Sequence, residues 1–208
     1  MYKLYWAQMS GAIAPQALLE EIGADYEKIV IDMDKMEHRT PEFLAVNPWA
    51  QIPALVLPDG TLMTESAAMV LHLADRHPEA KLAPPAGSAE SARFLRWLLF
   101  MASTLYVTDM RLYHAEQFTS DSTGLDGVLA SALADMDRSF AVLDEALNPG
   151  PYLLGETFSA ADIYLWMLSC WHPEPAKMLA KNPRVKQLSE LVQVRPAIAR
   201  VWDEHKED

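Results

Sequence analysis

Two short segments of this sequence carry residues suited to binding a peptide-like ligand. In the first, residues 47–55, Ile52 stands before Pro53 at the entry to a short apolar strand predicted for residues 54–57. A residue before proline favours an extended backbone, and proline itself donates no N–H. The backbone of Ile52 is therefore predicted to lie unpaired at a strand edge, where it can hydrogen-bond an extended peptide.

The second segment, Thr64-Glu65-Ser66, stands at the predicted start of a helix. Thr64 is predicted to cap that helix, with Glu65 and Ser66 in its first turn. The free N–H groups at a helix start attract a carboxylate, and Glu65 can hold an ammonium beside it. Together the two segments predict a pocket for a ligand with a peptide-like middle and an amino-acid head.

This pairing resembles the glutathione-binding half of the glutathione transferases, and the resemblance extends along the whole chain. It implies an α/β plus all-α fold, with a thioredoxin-like N-terminal domain (βαβ-α-ββα) followed by a C-terminal all-helical domain. The family's hallmark is a cis-proline before the third strand, here Pro53. The implied co-substrate is glutathione, with Gln51, Ile52 and Pro53 along its cysteinyl unit and with Glu65 and Ser66 holding its γ-glutamyl head.

The likeness is strongest to the bacterial beta-class enzymes, through Lys3-Leu4-Tyr5, Pro15, Glu20, Asn47-Pro48 and Thr64-Glu65. Their implied reaction is attack of the glutathione thiolate on an electrophilic carbon, which needs a donor that lowers a thiol pKa of about 8.5. The beta-class cysteine is absent, because Gly11 stands in its place. Ser10 is the favoured hydroxyl donor, and Tyr5 and the backbone amides of Gly11 and Ala12 are the other candidates.

These site residues also have structural interpretations. Ser10 is equally suited to capping the first helix, and Tyr5 lies on a predicted strand and can belong to the core. Lys35 or His38 would meet the glycyl carboxylate of glutathione, or they are solvated loop charges. Tyr106 aligns with a histidine that beta-class relatives place facing the sulfur, and it would donate to negative charge developing on the substrate.

The resemblance also implies a pocket for the electrophile between the two domains. Its lining residues would be Trp6, Ala7, Met9, Tyr106, Met110 and Tyr113. Such a lining predicts small hydrophobic electrophiles as the second substrate. A stripe of methionine and aromatic residues at helical spacing is also typical of a core, which is the alternative for Met110.

Composition excludes several other classes of protein. The 208 residues, half of them apolar, predict a soluble globular protein of one or two domains, and no apolar run approaches the roughly 20 residues of a membrane span. A formal charge of −12 argues against nucleic acid and anionic membranes as partners. The lone Cys170 excludes an internal disulfide and is predicted to be a packed thiol, and the six histidines lack metal-ligand spacing. A cytosolic location without a signal peptide is expected.

Periodicity and turn residues give the order of elements. Strands are predicted at 3–6, 26–31 and 54–57, and Pro58-Asp59-Gly60 is predicted to be the turn of a hairpin between two short apolar runs. Helices are predicted at 15–22, 41–46, 65–76, 89–117, 125–147 and 163–171, with two more beginning at Pro183 and Pro196. The predicted domains are residues 1–79 and 89–208, joined by a linker at 80–88. Ser159 and Asp162 are predicted to form a helix capping box.

The sequence therefore predicts a glutathione transferase that forms a two-fold homodimer and uses no metal. One alternative is a non-catalytic carrier with the glutathione fold, which the missing cysteine at Gly11 favours. Another is a glutathione-dependent peroxidase, isomerase or dehalogenase.

Overall fold

The computed structural model describes residues 1–206, whose contacts form two compact units. The first unit contains Met1–Ala83 and the C-terminal segment from Gln193, and the second contains Pro84–Val192. The elements before the second unit are β1 (Tyr2–Trp6), α1 (Ile13–Ile22), β2 (Tyr26–Val30), α2 (Pro41–Leu44), β3 (Ala54–Val56), β4 (Leu62–Met63) and α3 (Ser66–Arg76).

The four strands form one mixed sheet in the order β2-β1-β3-β4. β1 runs parallel to β2 and antiparallel to β3, with Leu4 opposite Leu55, and Leu55 also lies opposite Met63 of β4. β3 is thus an inner strand, so the prediction of an exposed strand edge at Ile52 is wrong. Ile52 lies instead beyond the end of the paired segment, just before Pro53.

The core of the first unit lies between the sheet and its helices. α1 and α3 pack against each other, and their apolar faces are closed to solvent together with Leu4 and Leu55 of the sheet. The fully buried helical side chains include Ile13, Leu18, Leu19, Met69, Val70 and Leu73. Burying each side chain of this size contributes about 1.5–3 kcal/mol to folding.

The second unit consists of helices. They are α4 (Ala89–Phe100), α5 (Tyr106–Tyr113), α6 (Leu125–Ala146), α7 (Ala160–Cys170), α8 (Pro175–Lys181) and α9 (Pro183–Gln193). A π-helical segment, Met101–Leu105, joins α4 to α5, so the helix predicted over 89–117 is interrupted and ends at Tyr113. α8 was absent from the predicted elements, although Pro175 at its first position is a typical helix-start residue.

The predicted capping box at the start of α7 is confirmed. The Asp162 carboxylate accepts the backbone N–H of Ser159 at 2.7 Å and, outside the helix, the N–H of Leu153 at 2.8 Å. Burial raises the pKa of Asp162 to about 7, against the opposing effect of these hydrogen bonds. The box thus fastens the preceding loop to α7 as well as capping the helix.

The last helix, α10 (Pro196–His205), belongs to the first unit and packs on α1. Arg195 makes a bidentate contact with Glu21 at 2.8 and 2.6 Å, and Arg200 reaches Glu20 at 2.8 Å. The predicted C-terminal domain, residues 89–208, therefore does not coincide with the second unit, because its final helix packs in the first unit.

The predicted fold class is confirmed: a four-stranded sheet with helices, followed by a helical unit. The predicted domain limits, residues 1–79 and 89–208, stay a prediction. In the structure, the contacts separate the two units after Ala83. Within residues 1–206, no helix combines the length and apolar character that crossing a membrane requires.

Candidate functional site

The backbone at Ile52 and Pro53 combines a cis peptide bond with unpaired hydrogen-bonding groups. The bond between the two residues is cis. Within the described residues, neither the N–H nor the C=O of Ile52 has a hydrogen-bond partner, and the side chain is half-buried. One donor and one acceptor side by side can pair with one residue of an extended peptide, as in a β-ladder.

The loop that leads into Ile52 is held by a buried asparagine. The Asn47 side chain donates to the Gln51 carbonyl at 2.7 Å and accepts the Trp49 N–H at 3.0 Å. Ala50 has a φ of 57°, a left-handed conformation that favours glycine. Ala50 therefore adopts a backbone conformation better suited to glycine, and the Gln51 side chain that follows it is exposed.

The second segment places Glu65 and Ser66 at the start of α3. Ser66 is the first helical residue and is buried, whereas Glu65 is exposed and occupies the N-cap position without a side-chain capping bond. The prediction that Thr64 caps this helix is therefore wrong, because the helix begins one residue later than that assignment requires. In general, the backbone N–H groups in the first turn of a helix are the ones that can donate to an anion.

Glu65 also has a strained backbone, with φ 65° and ψ 102°. Side-chain-bearing residues avoid this region, at a cost of about 1–3 kcal/mol. Strain of this kind at an exposed carboxylate beside a helix start is typical of residues that bind a ligand.

The Ser10 hydroxyl is engaged within its own loop between β1 and α1. It donates to the Ala7 carbonyl at 2.7 Å and accepts the Ala12 N–H at 3.2 Å. A hydroxyl has one proton, so Ser10 can donate to a ligand only by leaving Ala7. The buried Gly11 N–H, by contrast, has no hydrogen-bond partner in the described part of the chain.

The other predicted residues of the first unit have mixed surroundings. Tyr5 is half-buried on β1 with its ring edge-on to Phe43, at a centroid distance of 5.7 Å. The Lys35 ammonium is exposed and paired with Asp32 at 2.8 Å. His38 is buried, and its pKa is lowered by that burial and by the adjacent Arg39. A neutral His38 would not attract a carboxylate. Of the two residues predicted to meet the glycyl carboxylate, Lys35 is therefore the one that carries a positive charge.

In the second unit, the predicted residues Tyr106, Met110 and Tyr113 lie on α5. Tyr106 is half-buried and packs edge-on against Trp171 at 5.3 Å, and the Tyr113 hydroxyl donates to the Trp171 carbonyl. Burial, with a smaller contribution from Asp109, raises the pKa of Tyr113. The Tyr113 hydroxyl therefore remains protonated near neutral pH, with its proton donated to Trp171.

Two buried titratable residues escaped the sequence-based reasoning. Asp109 on α5 is 4% exposed, its carboxylate oxygens have no partner among residues 1–206, and burial raises its pKa to about 8. His205 on α10 is fully buried and accepts the N–H of Met9, next to Ser10. Asp109 stands alone on an otherwise apolar helical face, and that interruption was the available signal. His205 gave no local signal.

Cys170 and the potential metal ligands are the other residues whose side chains could take part in chemistry. Burial raises the pKa of the Cys170 thiol to about 12, so it is protonated and a poor nucleophile at neutral pH. Among the described residues, no three histidine, cysteine or carboxylate side chains are grouped to hold a metal ion.

The fold contains a thioredoxin-like unit in which the unpaired backbone N–H and C=O of Ile52 directly precede a cis-proline, and in which α3 begins at Ser66. The glutathione S-transferase N-terminal domain family matches residues 15–76, and the C-terminal domain family matches residues 130–204. The chain belongs to the glutathione S-transferase family.

The similarity extends to individual proteins over most of their length. Glutathione S-transferase GstA of Escherichia coli O157:H7 is 29% identical over 170 residues, which are 81% of each chain. A glutathione transferase homologue from Sulfitobacter, solved with bound glutathione, is 26% identical over 98% of both chains with a TM-score of 0.89. A glutathione transferase from Methylococcus capsulatus is 31% identical, covers 99% of this chain and 98% of its own, and has a TM-score of 0.85.

Proposed function

We propose that this protein is a glutathione transferase that binds reduced glutathione at Ile52, Glu65 and Ser66 and adds its thiolate to small hydrophobic electrophiles. The observation that carries the proposal is the unpaired N–H and C=O of Ile52 beside the cis-proline. In a dry pocket such groups are costly unless a ligand or water satisfies them. The cysteinyl unit of glutathione supplies the matching acceptor and donor.

The two ends of the tripeptide have separate sites in this proposal. The α-carboxylate of the γ-glutamyl head meets the first amides of α3, and its ammonium meets the Glu65 carboxylate. The glycyl carboxylate is assigned to Lys35, which would exchange its ion pair with Asp32 for the ligand. Because Lys35 is highly exposed, its contribution to affinity is small.

Thiol activation is assigned to the loop of residues 10–12. The Gly11 N–H is an unengaged donor, and the Ser10 hydroxyl becomes a second donor if it leaves the Ala7 carbonyl. A hydrogen bond to a charged group is worth about 1.5–3 kcal/mol, which corresponds to a thiol pKa lower by about one to two. Tyr5 and Tyr106 are the remaining hydroxyl candidates.

Steady-state conjugation of 1-chloro-2,4-dinitrobenzene tests the transferase function. We expect turnover above the uncatalysed rate, and we expect Ser10→Ala to lower kcat/KM about 10–100-fold while raising the pKa read from the pH–rate profile. Ser10→Thr keeps the hydroxyl and is expected to remain within a few-fold of the unmodified protein. Tyr5→Phe and Tyr106→Phe, measured alongside, test the other two donors. Equal activity of the alanine and threonine variants would contradict the role of Ser10.

A non-catalytic glutathione-binding protein is the second candidate. It is favoured by the absence of a cysteine at Gly11 and by the engagement of the Ser10 proton with Ala7. Such a carrier would give heat of glutathione binding in calorimetry but no turnover with chlorinated nitroaromatics. A peroxidase, isomerase or dehalogenase using the same glutathione site would show turnover with hydroperoxides or the corresponding substrates instead.

We also propose a homodimer as the working assembly. Each unit exposes large apolar side chains, with Trp49 77% exposed in the first and Leu99 52% exposed on α4 of the second. Exposed apolar side chains of this size are common at association surfaces. Sedimentation equilibrium is expected to give a mass about twice the 23.3 kDa of the chain, and a concentration-independent monomer would contradict the proposal.

A further inference from the structure

A buried hydrogen-bond network joins the C-terminal helix to the loop that follows β1. His205 is 0% exposed, and its Nδ1 lies 3.1 Å from the backbone nitrogen of Met9. Its Nε2 lies 2.9 Å from Oε1 of Gln16 on α1, and the same oxygen accepts the Trp6 indole N–H at 2.7 Å. Four elements of the first unit therefore meet at one imidazole.

The network determines which ring nitrogen of His205 carries the proton. A backbone N–H can only donate, so Nδ1 must accept from Met9 through its lone pair. The proton of the neutral ring then lies on Nε2 and is donated to Gln16. The Trp6 indole, which is also 2.8 Å from Nε2, must direct its proton to Gln16. In this assignment Gln16 Oε1 accepts two protons, one from His205 Nε2 and one from the Trp6 indole.

Met9 is a position where such a bond matters. Its φ is 49°, in the left-handed region that side-chain-bearing residues seldom adopt. The next residue, Ser10, bridges Ala7 and Ala12 through its hydroxyl, and Gly11 follows with its unengaged N–H. A loop with one strained residue keeps its conformation only when surrounding contacts enforce it.

We propose that His205 is a positioning residue for thiol activation: its Nδ1 holds the Met9 N–H and thereby aims the Ser10 hydroxyl and the Gly11 amide at the ligand sulfur. The inference rests on the proposed function, because it concerns the loop assigned there to the thiolate. His205 acts through the backbone of Met9 and touches no reacting atom. It would make the last helix of the chain a part of the active-site architecture.

Burial keeps His205 neutral. Its pKa is lowered to about 4, first by burial and also by the nearby Lys28, with Glu204 acting in the opposite direction. Lys28 and Glu204 are themselves paired, and Gln16, which contacts Nε2, also donates to Glu204 and to the Tyr26 hydroxyl. The Nδ1 lone pair is therefore available to Met9 throughout the neutral range.

Two matched variants test the contacts of the two ring nitrogens of His205 separately. His205→Asn places an oxygen near the position of Nδ1 and retains an acceptor for Met9. His205→Gln reaches the position of Nε2 and retains the contact with Gln16, but it leaves the Met9 N–H without a partner. Both variants remove the ring and replace it with a neutral amide, so loss of packing affects them similarly.

Conjugation kinetics and the pKa of bound glutathione form the first readout. We expect His205→Gln to lower kcat at least 10-fold and to raise the thiol pKa, with the glutathione dissociation constant within about 2-fold. His205→Asn is expected to recover most of the loss. Equal loss in both variants, or full activity in both, would overturn the inference, and thermal melts of both confirm that the folded state is compared.

Amide hydrogen exchange gives a readout that needs no turnover. The amides of residues 9–12 are expected to exchange faster in His205→Gln than in His205→Asn, while the amides of α3 exchange equally in both. Equal exchange at residues 9–12 overturns the inference. If the unmodified protein binds glutathione without conjugating it, the transferase proposal fails, and the exchange comparison still decides whether His205 positions the loop.

Discussion

At the scale of single residues, Ile52 and Glu65 have the backbone features on which the proposed glutathione site depends. Ile52 has an unpaired donor and acceptor, and Glu65 has a φ of 65° at an exposed position. Neither feature stabilises the empty protein. Both become favourable when a peptide-like ligand with a charged head satisfies the free groups, which is the basis of the proposed glutathione site.

Replacing Glu65 tests the proposed contact with the γ-glutamyl ammonium. We expect Glu65→Ala to weaken glutathione binding about 10-fold, since an ion pair and its hydrogen bond of roughly 1–2 kcal/mol are lost. Isothermal titration calorimetry with reduced glutathione measures the change. Glu42→Ala, which removes another exposed carboxylate from the first turn of a helix, is the control and should leave the affinity unchanged.

Asp109 supplies a prediction about stability. Its folded-state pKa of about 8 exceeds the ordinary value near 4, so the folded state holds a proton that the unfolded state loses. Its contribution to stability is therefore fully present below about pH 4 and declines until about pH 8, by up to ~1.4 kcal/mol per pH unit. In urea unfolding followed from pH 5 to 9, Asp109→Asn should lack this decline.

The exposed Asp126 on α6 provides the matched substitution for that experiment. Asp126→Asn should keep the pH dependence of the unmodified protein. If Asp109→Asn and the unmodified protein lose stability in parallel between pH 5 and 8, then Asp109 is ionised in the folded state and the assignment of its raised pKa is wrong.

At the scale of elements, helix starts and turns were predictable where they depend on residues close together in the sequence. Proline at the starts of α9 and α10, the Ser159–Asp162 box and the hairpin after Pro58 follow from residues within a few positions of one another. The start of α3 was misplaced because Thr64 is a better capping residue than Glu65 by intrinsic preference. The left-handed backbone conformation of Glu65 overrides that preference.

Two glycines give a matched test of backbone geometry. Gly150 has a φ of 135°, and an added Cβ would lie 2.7 Å from the backbone of Gly155. Gly23, which ends α1 with a φ of 72°, has open space around it. Gly23→Ala should therefore cost only the conformational term, about 1 kcal/mol. Gly150→Ala should cost several times more, because a backbone collision cannot be relieved by a rotamer change.

Equilibrium denaturation of the two glycine variants measures this difference. The second unit should respond most strongly to Gly150→Ala, since the residue closes the turn before α7. Equal and small losses would mean that the turn at Gly150 and Gly155 opens freely to accept a methyl group.

At the scale of the whole molecule, the class of fold and the glutathione motifs were predictable, whereas the role of the C-terminal helix was not. The motifs at Ile52 and Glu65 are contiguous stretches whose chemistry is evident from neighbouring residues. The contact between Met9 and His205 joins residues separated by 196 positions. Periodicity and propensity describe elements one at a time, so they cannot pair a buried imidazole with a distant loop.

The buried His205 also predicts a loss of folding stability at acid pH. Its folded-state pKa of about 4 lies below the ordinary value of about 6.5, so its contribution is present above pH 6.5 and is lost as the pH falls through 4. The charged groups that act on its pKa are Glu204 and Lys28. His205→Asn should lack this acid-side decline in urea unfolding between pH 7 and 4, and an unchanged decline would indicate that other groups cause it.

A crystal structure of the protein with reduced glutathione tests the proposed binding site at Ile52 and α3 most directly. We predict that the cysteinyl N–H and C=O lie about 3 Å from the carbonyl oxygen and the nitrogen of Ile52, with the γ-glutamyl carboxylate at the amides that begin α3. A tripeptide paired instead with β4, the true edge of the sheet beside β3, or no bound tripeptide at millimolar concentration, would contradict the account.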